Sequence, residues 1–167
     1  MPVKNADNTL VLELIAKRLI KRKEKVAIAE SVTSGDVQSA FSSAKNALQF
    51  FQGGITVYNV IQKVRHLQVD PVHAMACNCV SAVIAEDMAK NVIKLFASDW
   101  GIGITGYATP VPEKGIKELF AFVAIYFKEK CMLSELLTAD KLDAELVRQF
   151  YTHHVLLNFS KAIQKSH

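Results

Sequence analysis

The chain has 167 residues, half of them apolar, and this length and composition predict one domain with a substantial core. No apolar run approaches the roughly 18 residues that a membrane-spanning helix needs, and the first residues lack the apolar stretch of a secretory signal, so we expect a soluble cytoplasmic protein with no membrane partner. The net charge is +4, but no aromatic residues interleave with the basic run at 21–25, so we expect no nucleic-acid partner.

Hydrophobic periodicity predicts an alternation of helices and strands. Asn8 or Thr9 is the expected cap of the first helix, and Ser81 is the expected cap of a later one. The predicted elements, in chain order, are a helix at 9–23, a strand at 26–29, a helix at 35–43, a strand at 52–58, a helix at 59–66, a helix at 82–96, strands at 100–105, 119–127 and 131–139, and a helix from Asp140 or Asp143 to about 164.

This order of elements indicates the fold class. Helices and strands alternate early, residues 106–117 hold two of the four prolines and are predicted to be a loop, and the last two strands flank a polar turn as in a hairpin. The chain is therefore predicted to form a three-layer α/β/α sandwich with a mixed β-sheet. It shows no repeat or linker, so a single domain over 1–167 is expected.

Three cysteines occur, at Cys77, Cys79 and Cys131. An odd number without a regular framework does not favour disulfides. One Cys-x-Cys pair with no further ligands at metal-site spacing is also a weak zinc pattern, so reduced structural thiols and no bound metal are expected.

The segment at 29–36 is the most informative part of the chain. An apolar run ends at Ala29, three hydroxyl residues and Gly35 follow, and sequence compatible with a helix resumes at Val37. This pattern predicts a strand, a tight turn and a helix N-terminus, where free backbone N–H groups can stabilise an oxyanion. Ser31 lies in that turn.

Five short motifs, in the same order and with compatible spacing over about 9–165, resemble the C-terminal domain of the CinA (competence/damage-inducible) family, which also occurs as a stand-alone nicotinamide-nucleotide amidase. The family's E-S-C-T-G-G is similar to residues 30–35, and its F-x-G-G-x-x-x-Y-x-x-x-x-K is similar to 51–63. The remaining matches are V-S-x-x-V-A-x-x-M-A at 80–89, T-G-x-A-G-P at 105–110 and D-R-x-x-I/V-R at 143–148.

The resemblance implies an activity. Stand-alone members hydrolyse the carboxamide of nicotinamide mononucleotide to nicotinic acid mononucleotide and ammonia, which is a step in pyridine-nucleotide recycling. For this chain it therefore implies a small-molecule pyridine nucleotide as substrate, no cofactor, the family fold and self-association into dimers or larger homo-oligomers.

Amide hydrolysis by covalent catalysis needs a nucleophile and a base. No histidine lies near the Ser31 turn, which disfavours a Ser-His-Asp arrangement, whereas a lysine whose amine is neutral can act as the base. The resemblance assigns Ser31 as nucleophile and Lys63 as general base. Tyr58 is the third catalytic candidate, which would relay a proton, orient the lysine or pack against the pyridine ring.

The candidate substrate-binding residues lie in the same motifs. Backbone N–H groups around residues 33–35 are candidates for the oxyanion hole, residues at 105–106 for contacts with the amide or phosphate, and a guanidinium for the phosphate. The full set is Glu30, Thr33, Ser34, Gly35, Gly54, Thr105, Gly106 and Arg148.

Each candidate also has a structural interpretation that the sequence leaves open. Hydroxyls after a strand often cap the next helix, lysines are mostly exposed, and paired glycines often serve packing. The structural alternatives are helix capping by Ser31 and Thr33, a solvated Lys63, a half-buried Tyr58, close packing at Gly54, a backbone contact for Thr105, and pairing of Arg148 with Glu145 or another carboxylate.

Several positions near the predicted site depart from the family pattern, and they motivate a second hypothesis, a non-catalytic binding or assembly domain. An acid follows Gly35 where the family has an apolar residue, and a glycine-rich loop is absent after the fourth motif. The departures are Val32, Ser34, Asp36, the segment 46–48, Thr109, the segment 111–114 and Ala144.

Overall fold

The computed structural model describes residues 5–141 and 143–166, with side chains from Asn8 onward. The helices and strands are α1 (Asn5–Arg22), β1 (Val26–Glu30), α2 (Asp36–Ser42), β2 (Phe51–Thr56), α3 (Val60–Leu67), α4 (Pro71–Ala76), α5 (Ala82–Phe96), β3 (Trp100–Gly106), β4 (Leu119–Phe127), β5 (Lys130–Ala139) and α6 (Ala144–Lys165). Short 3₁₀ turns occupy Ala47–Gln49 and Pro112–Lys114.

The five strands form one mixed sheet in the order β2-β1-β3-β4-β5. β1 pairs in parallel with β2 and β3, while β4 is antiparallel to β3 and β5. Helices α1, α2 and α6 cover one face, and α3, α4 and α5 cover the other. The three-layer α/β/α fold and the late hairpin are therefore confirmed.

Side-chain size differs between the two faces of the central strands. Val26 and Ile28 of β1 point into the core shared with α1 and α6, whereas the small residues of β1 face α5. A Cβ at Gly101 or Gly103 of β3 would clash with backbone oxygens of α5. The small residues thus let the backbone of α5 lie close to the sheet, whereas larger side chains separate α1 and α6 from its other face.

Two sequence expectations about the helices need correction. α1 begins at Asn5, so the prediction of Asn8 or Thr9 as its cap is wrong, because those residues lie inside the helix. α4 was not predicted. Asp70 caps it by accepting a hydrogen bond from Val72 N–H, but six residues are too few to show helical periodicity.

The N-terminal caps of α5 and α6 lie at residues that the sequence predicted. Ser81 caps α5 as expected, since its hydroxyl accepts a hydrogen bond from Ile84 N–H at 3.2 Å. Asp143, rather than Asp140, occupies the N-cap of α6, but its side chain makes no capping hydrogen bond. Of the helices that the structure describes, none is long and apolar enough to cross a bilayer.

Candidate active site

The predicted site residues gather where the parallel strands end. β1, β2 and β3 finish at Glu30, Thr56 and Gly106, so their carboxyl ends lie side by side at one end of the sheet. In open α/β sheets, ligands bind beyond the carboxyl ends of the strands, beside the strand where the order reverses. β1 is that strand here, because the chain moves from it to β2 on one side and later to β3 on the other. Ser31 follows it directly.

Ser31 and Lys63 meet at this end of the sheet. Lys63 Nζ donates a hydrogen bond to Ser31 Oγ at 3.1 Å, inside the range of about 2.6–3.2 Å for a nucleophile and its base. Lys63 is 2% exposed, so the alternative of a solvated lysine is wrong. Among the described residues, Lys63 forms no ion pair with a carboxylate.

Burial lowers the pKa of Lys63, because a buried ammonium loses its hydration. The residue also lies in the first turn of α3, whose N-terminal dipole disfavours a cation. Thiolates at Cys79 and Cys77 would raise the lysine pKa, but burial raises the pKa of the Cys79 thiol and keeps it neutral near pH 7. The environment therefore favours the neutral amine that a general base must present.

Glu30 organises the turn that carries Ser31. Its fully buried carboxylate accepts hydrogen bonds from Val37 N–H at 3.1 Å, from Gln38 N–H and Nε2 at 2.9 Å each, and from Thr33 Oγ1 at 2.5 Å. The alternative that Ser31 and Thr33 cap α2 is therefore wrong: the Glu30 carboxylate binds the first free N–H groups of α2, and the hydroxyl of Thr33 binds Glu30.

Two left-handed residues complete the turn. Ser34 has φ 55° and Gly35 has φ 107°, so the second position needs glycine more than the first. Ser34 is exposed and its Cβ does not prevent the turn. Ser34 N–H donates to Ser31 O at 3.0 Å, whereas the N–H groups of Val32, Thr33 and Gly35 donate to none of the described residues. Of the predicted oxyanion-hole donors at 33–35, Thr33 and Gly35 therefore keep a free N–H, and the adjacent N–H of Val32 is a further candidate.

A cavity of about 540 Å³ opens in front of Ser31 and Lys63. Six predicted site residues line it, namely Ser31, Tyr58, Lys63, Thr105, Gly106 and Arg148. The other five, Glu30, Thr33, Ser34, Gly35 and Gly54, do not line it. Sequence reasoning missed Asn59, Asn78, Cys79, Tyr107 and Lys114, which also line it and lie within or beside the motifs.

Thr105 and Gly54 show the structural contacts that the sequence left open, and Gly106 also lies in a tightly packed position. Thr105 Oγ1 donates to Cys79 O at 2.8 Å, which fixes the segment before α5 to the end of β3. A Cβ at Gly54 would crowd Gln38, the partner of Glu30, and one at Gly106 would clash with Phe120 O. Their roles as substrate contacts stay predictions.

Tyr58 is not the half-buried aromatic that the structural alternative expects. It is 71% exposed at the cavity and makes no hydrogen bond with the described residues. The candidate role of orienting Lys63 through a hydrogen bond therefore has no support in this geometry. The ring is accessible from the cavity, so packing against a ligand is compatible with its position.

Arg148 on α6 forms part of the cavity wall, and its partner is a carboxylate on a different helix. Its Nε lies 3.8 Å from Asp36 Oδ2, at the start of α2. Of the two structural alternatives for Arg148, pairing with a carboxylate other than Glu145 is thus confirmed. Burial raises the pKa of Asp36, while Arg148 lowers it.

The three cysteines are free thiols. Over residues 5–141 and 143–166, no three His, Cys, Asp or Glu side chains come together as a metal-binding group.

Sequence comparison places this architecture among known proteins. The family model described as "CinA C-terminal domain" matches residues 8–163. A CinA-like protein from Trichodesmium erythraeum is 37% identical over 97 residues, 58% of this chain and 23% of that protein. One from Prochlorococcus marinus (strain NATL2A) is 36% identical over 104 residues, 62% of this chain and 24% of that protein. The match therefore spans about a quarter of the length of these relatives.

Solved structures share the fold. A competence damage-inducible protein A from Klebsiella pneumoniae superposes with a TM-score of 0.90 at 22% identity, covering 96% of this chain and 99% of that one. A CinA superfamily protein from Enterobacter cloacae gives 0.88 at 24% identity, covering 93% and 92%. Together with the family match, these likenesses show that the chain belongs to the CinA C-terminal domain family.

Proposed function

We propose that this domain is an amidohydrolase that converts nicotinamide mononucleotide to nicotinic acid mononucleotide and ammonia. The observation that most supports the proposal is the 3.1 Å contact between Ser31 Oγ and Lys63 Nζ, made by a buried lysine with a lowered pKa. Burying a lysine without a carboxylate partner lowers the free energy of unfolding, and such destabilising groups are typical of functional sites.

In the proposed reaction, neutral Lys63 takes the proton from Ser31 Oγ, which attacks the carboxamide carbon. Of the free N–H groups in this turn, that of Val32 belongs to a residue that lines the cavity, and it stabilises the oxygen that becomes negative by about 3–4 kcal/mol in the barrier. The C–N bond then breaks, Lys63 returns the proton to the nitrogen, and ammonia leaves. Water attacks the resulting ester while Lys63 takes its proton, and the carboxylic acid leaves as Ser31 regains a hydroxyl.

The cavity has the size and polarity that this substrate requires. Its volume of about 540 Å³ falls within the range of about 300–1,000 Å³ for small-molecule sites. Tyr58 offers an exposed ring face for the pyridine, and Arg148 and Lys114 are cations for the phosphate. Glu30 and Thr33 act on Ser31 by holding its turn rather than by touching substrate.

The competing proposal is a non-catalytic domain that binds a nucleotide or assembles with itself. The pairing of Asp36 with Arg148 favours it, because a carboxylate beside the proposed phosphate ligand weakens that subsite.

We further propose that the chain is one domain over 1–167, self-associates and acts in the cytoplasm. Light scattering on the purified protein measures its assembly.

Ammonia release from nicotinamide mononucleotide distinguishes the two functions. We expect the unmodified protein to release ammonia, and Ser31→Ala and Lys63→Met each to lower the rate by about 10³-fold or more. Ser42→Ala and Lys45→Met change exposed residues outside the cavity and serve as matched controls.

The amidase proposal fails for this substrate if the unmodified protein releases no more ammonia than Ser31→Ala. Nucleotide-dependent thermal stabilisation without turnover would then support the binding domain.

A further inference from the structure

Arg148 separates two cavities. It lines the cavity of Ser31 and Lys63 and also a second cavity of about 350 Å³ between the start of α2 and the first turns of α6. The second cavity is lined by Asn8, Asp36, Ser39, Ala40, Glu145, Arg148, Gln149 and Thr152. Of the charged residues here, Arg148 also lines the catalytic cavity, whereas Asp36 and Glu145 line the second cavity and act on a ligand at Arg148 from behind it.

The ion pair between Arg148 and Asp36 is loose. The distance of 3.8 Å from Arg148 Nε to Asp36 Oδ2 is longer than a hydrogen bond, and the two terminal nitrogens of the guanidinium have no partner among the described residues. The side chains of Arg148 and Asp36 are 32% and 44% exposed. Arg148 can therefore still bind an anion, but only with a carboxylate beside it.

Asp36 cannot easily leave this position. It is the first residue of α2, and its N–H donates to Thr33 O at 3.0 Å in the turn that Glu30 holds. Glu145 adds a second carboxylate, one turn before Arg148 on α6. The surroundings of Arg148 thus carry two carboxylates against one guanidinium, while Lys114 is a further cation of the catalytic cavity.

We propose that Asp36 determines the charge preference of the site, so that this domain favours pyridine carboxamides without a phosphate over phosphorylated ones. A phosphate dianion bound at Arg148 lies near the Asp36 carboxylate and is repelled by it, whereas the corresponding nucleoside has no such charge. This inference rests on the proposed amidase cavity and makes the nucleoside its preferred amide, with nicotinamide mononucleotide the weaker ligand.

Binding to Ser31→Ala protein tests the inference without turnover. Calorimetry gives the Kd of nicotinamide mononucleotide and of the corresponding nucleoside, with and without Asp36→Asn. We expect the Ser31→Ala protein that retains Asp36 to bind the nucleoside more tightly than nicotinamide mononucleotide. Asp36→Asn should shift the ratio of the two Kd values toward the mononucleotide by about fivefold or more at low salt, and by less at high salt.

The ratio of two ligands is insensitive to partly unfolded protein, because unfolded protein lowers the active fraction equally for both. Glu129→Gln is the matched control, since it removes the same charge at the β4–β5 turn, beside the N-terminal ends of the parallel strands. It should leave the ratio unchanged.

A ratio that Asp36→Asn changes by less than about twofold would overturn the inference, as would tighter binding of the mononucleotide by the unmodified site or binding of neither ligand. Failure of the amidase proposal is separate: it is absence of ammonia release from either ligand by protein that retains Ser31.

Discussion

Glu30→Gln provides the sharpest test of how the catalytic turn is built. The substitution keeps the shape of the side chain but replaces one acceptor oxygen with a donor NH₂ group. In the structure, Oε2 accepts from Thr33 Oγ1 and Val37 N–H, and Oε1 accepts from Gln38 N–H and Nε2. Glutamine can satisfy only one of these two pairs.

The lower-energy choice keeps the oxygen toward Gln38 and points the NH₂ group at Thr33, whose hydroxyl can rotate to accept. Val37 N–H then faces another donor in a buried site. Hydrogen bonds to a charged group contribute about 1.5–3 kcal/mol each. After the relief from burying a charge is allowed for, we expect a loss of about 2–4 kcal/mol in the free energy of unfolding.

For a domain of this size, that loss lowers the melting temperature by about 4–16 °C. Thermal and urea unfolding followed by circular dichroism measure it, with Glu13→Gln on the exposed side of α1 as the control. Ammonia release should also fall, because the turn that holds Ser31 loosens. A Glu30→Gln protein within about 0.5 kcal/mol of the parent would refute this account of the turn.

Three further predictions follow from buried groups. Between the lowered pKa of Lys63 and its ordinary value of 10.5, the unfolded chain binds more protons than the folded one, so the free energy of unfolding should rise with pH across that window. Below the window, Lys63→Met should be more stable than the parent protein. The kcat/KM for ammonia release should rise with pH to a midpoint below 10.5, and a midpoint at or above 10.5 would contradict this. Thr152 Oγ1 is buried without a hydrogen-bond partner among the described residues, so Thr152→Val should raise the melting temperature by about 2–4 °C, and a lower melting temperature would count against that assignment. Gly103→Ala should cost about 1–3 kcal/mol in urea unfolding, because the added Cβ meets Ala85 O, and a neutral effect would show that α5 can move.

The sequence predicted the elements with long, strongly periodic patterns and the order that makes a mixed sheet. The family resemblance paired Ser31 with Lys63, and in the structure they meet because both follow parallel strands whose carboxyl ends lie together. Apolar alternation and motif spacing carry this kind of information directly.

Other features depend on contacts between segments that no local pattern records. The pairing of Asp36 with Arg148 arises where α2 and α6 pack side by side. Glu30 belongs to a motif that implied a substrate contact, yet its carboxylate turns toward the helix that follows it. The length of a strand-to-helix turn does not reveal which of its polar residues faces inward.

The catalytic pair is assembled across the boundary between a central strand and an edge strand. Ser31 follows β1, which has neighbours on both sides, whereas Lys63 is attached through α3 to β2, which has only one. Edge strands open more readily than central ones, so transient detachment of β2 would carry the amine away from the alcohol while the rest of the sheet stayed intact. Amide hydrogen exchange along β2 therefore reports how often the two groups separate, and a partner strand or ligand that slows this exchange would also keep the pair together.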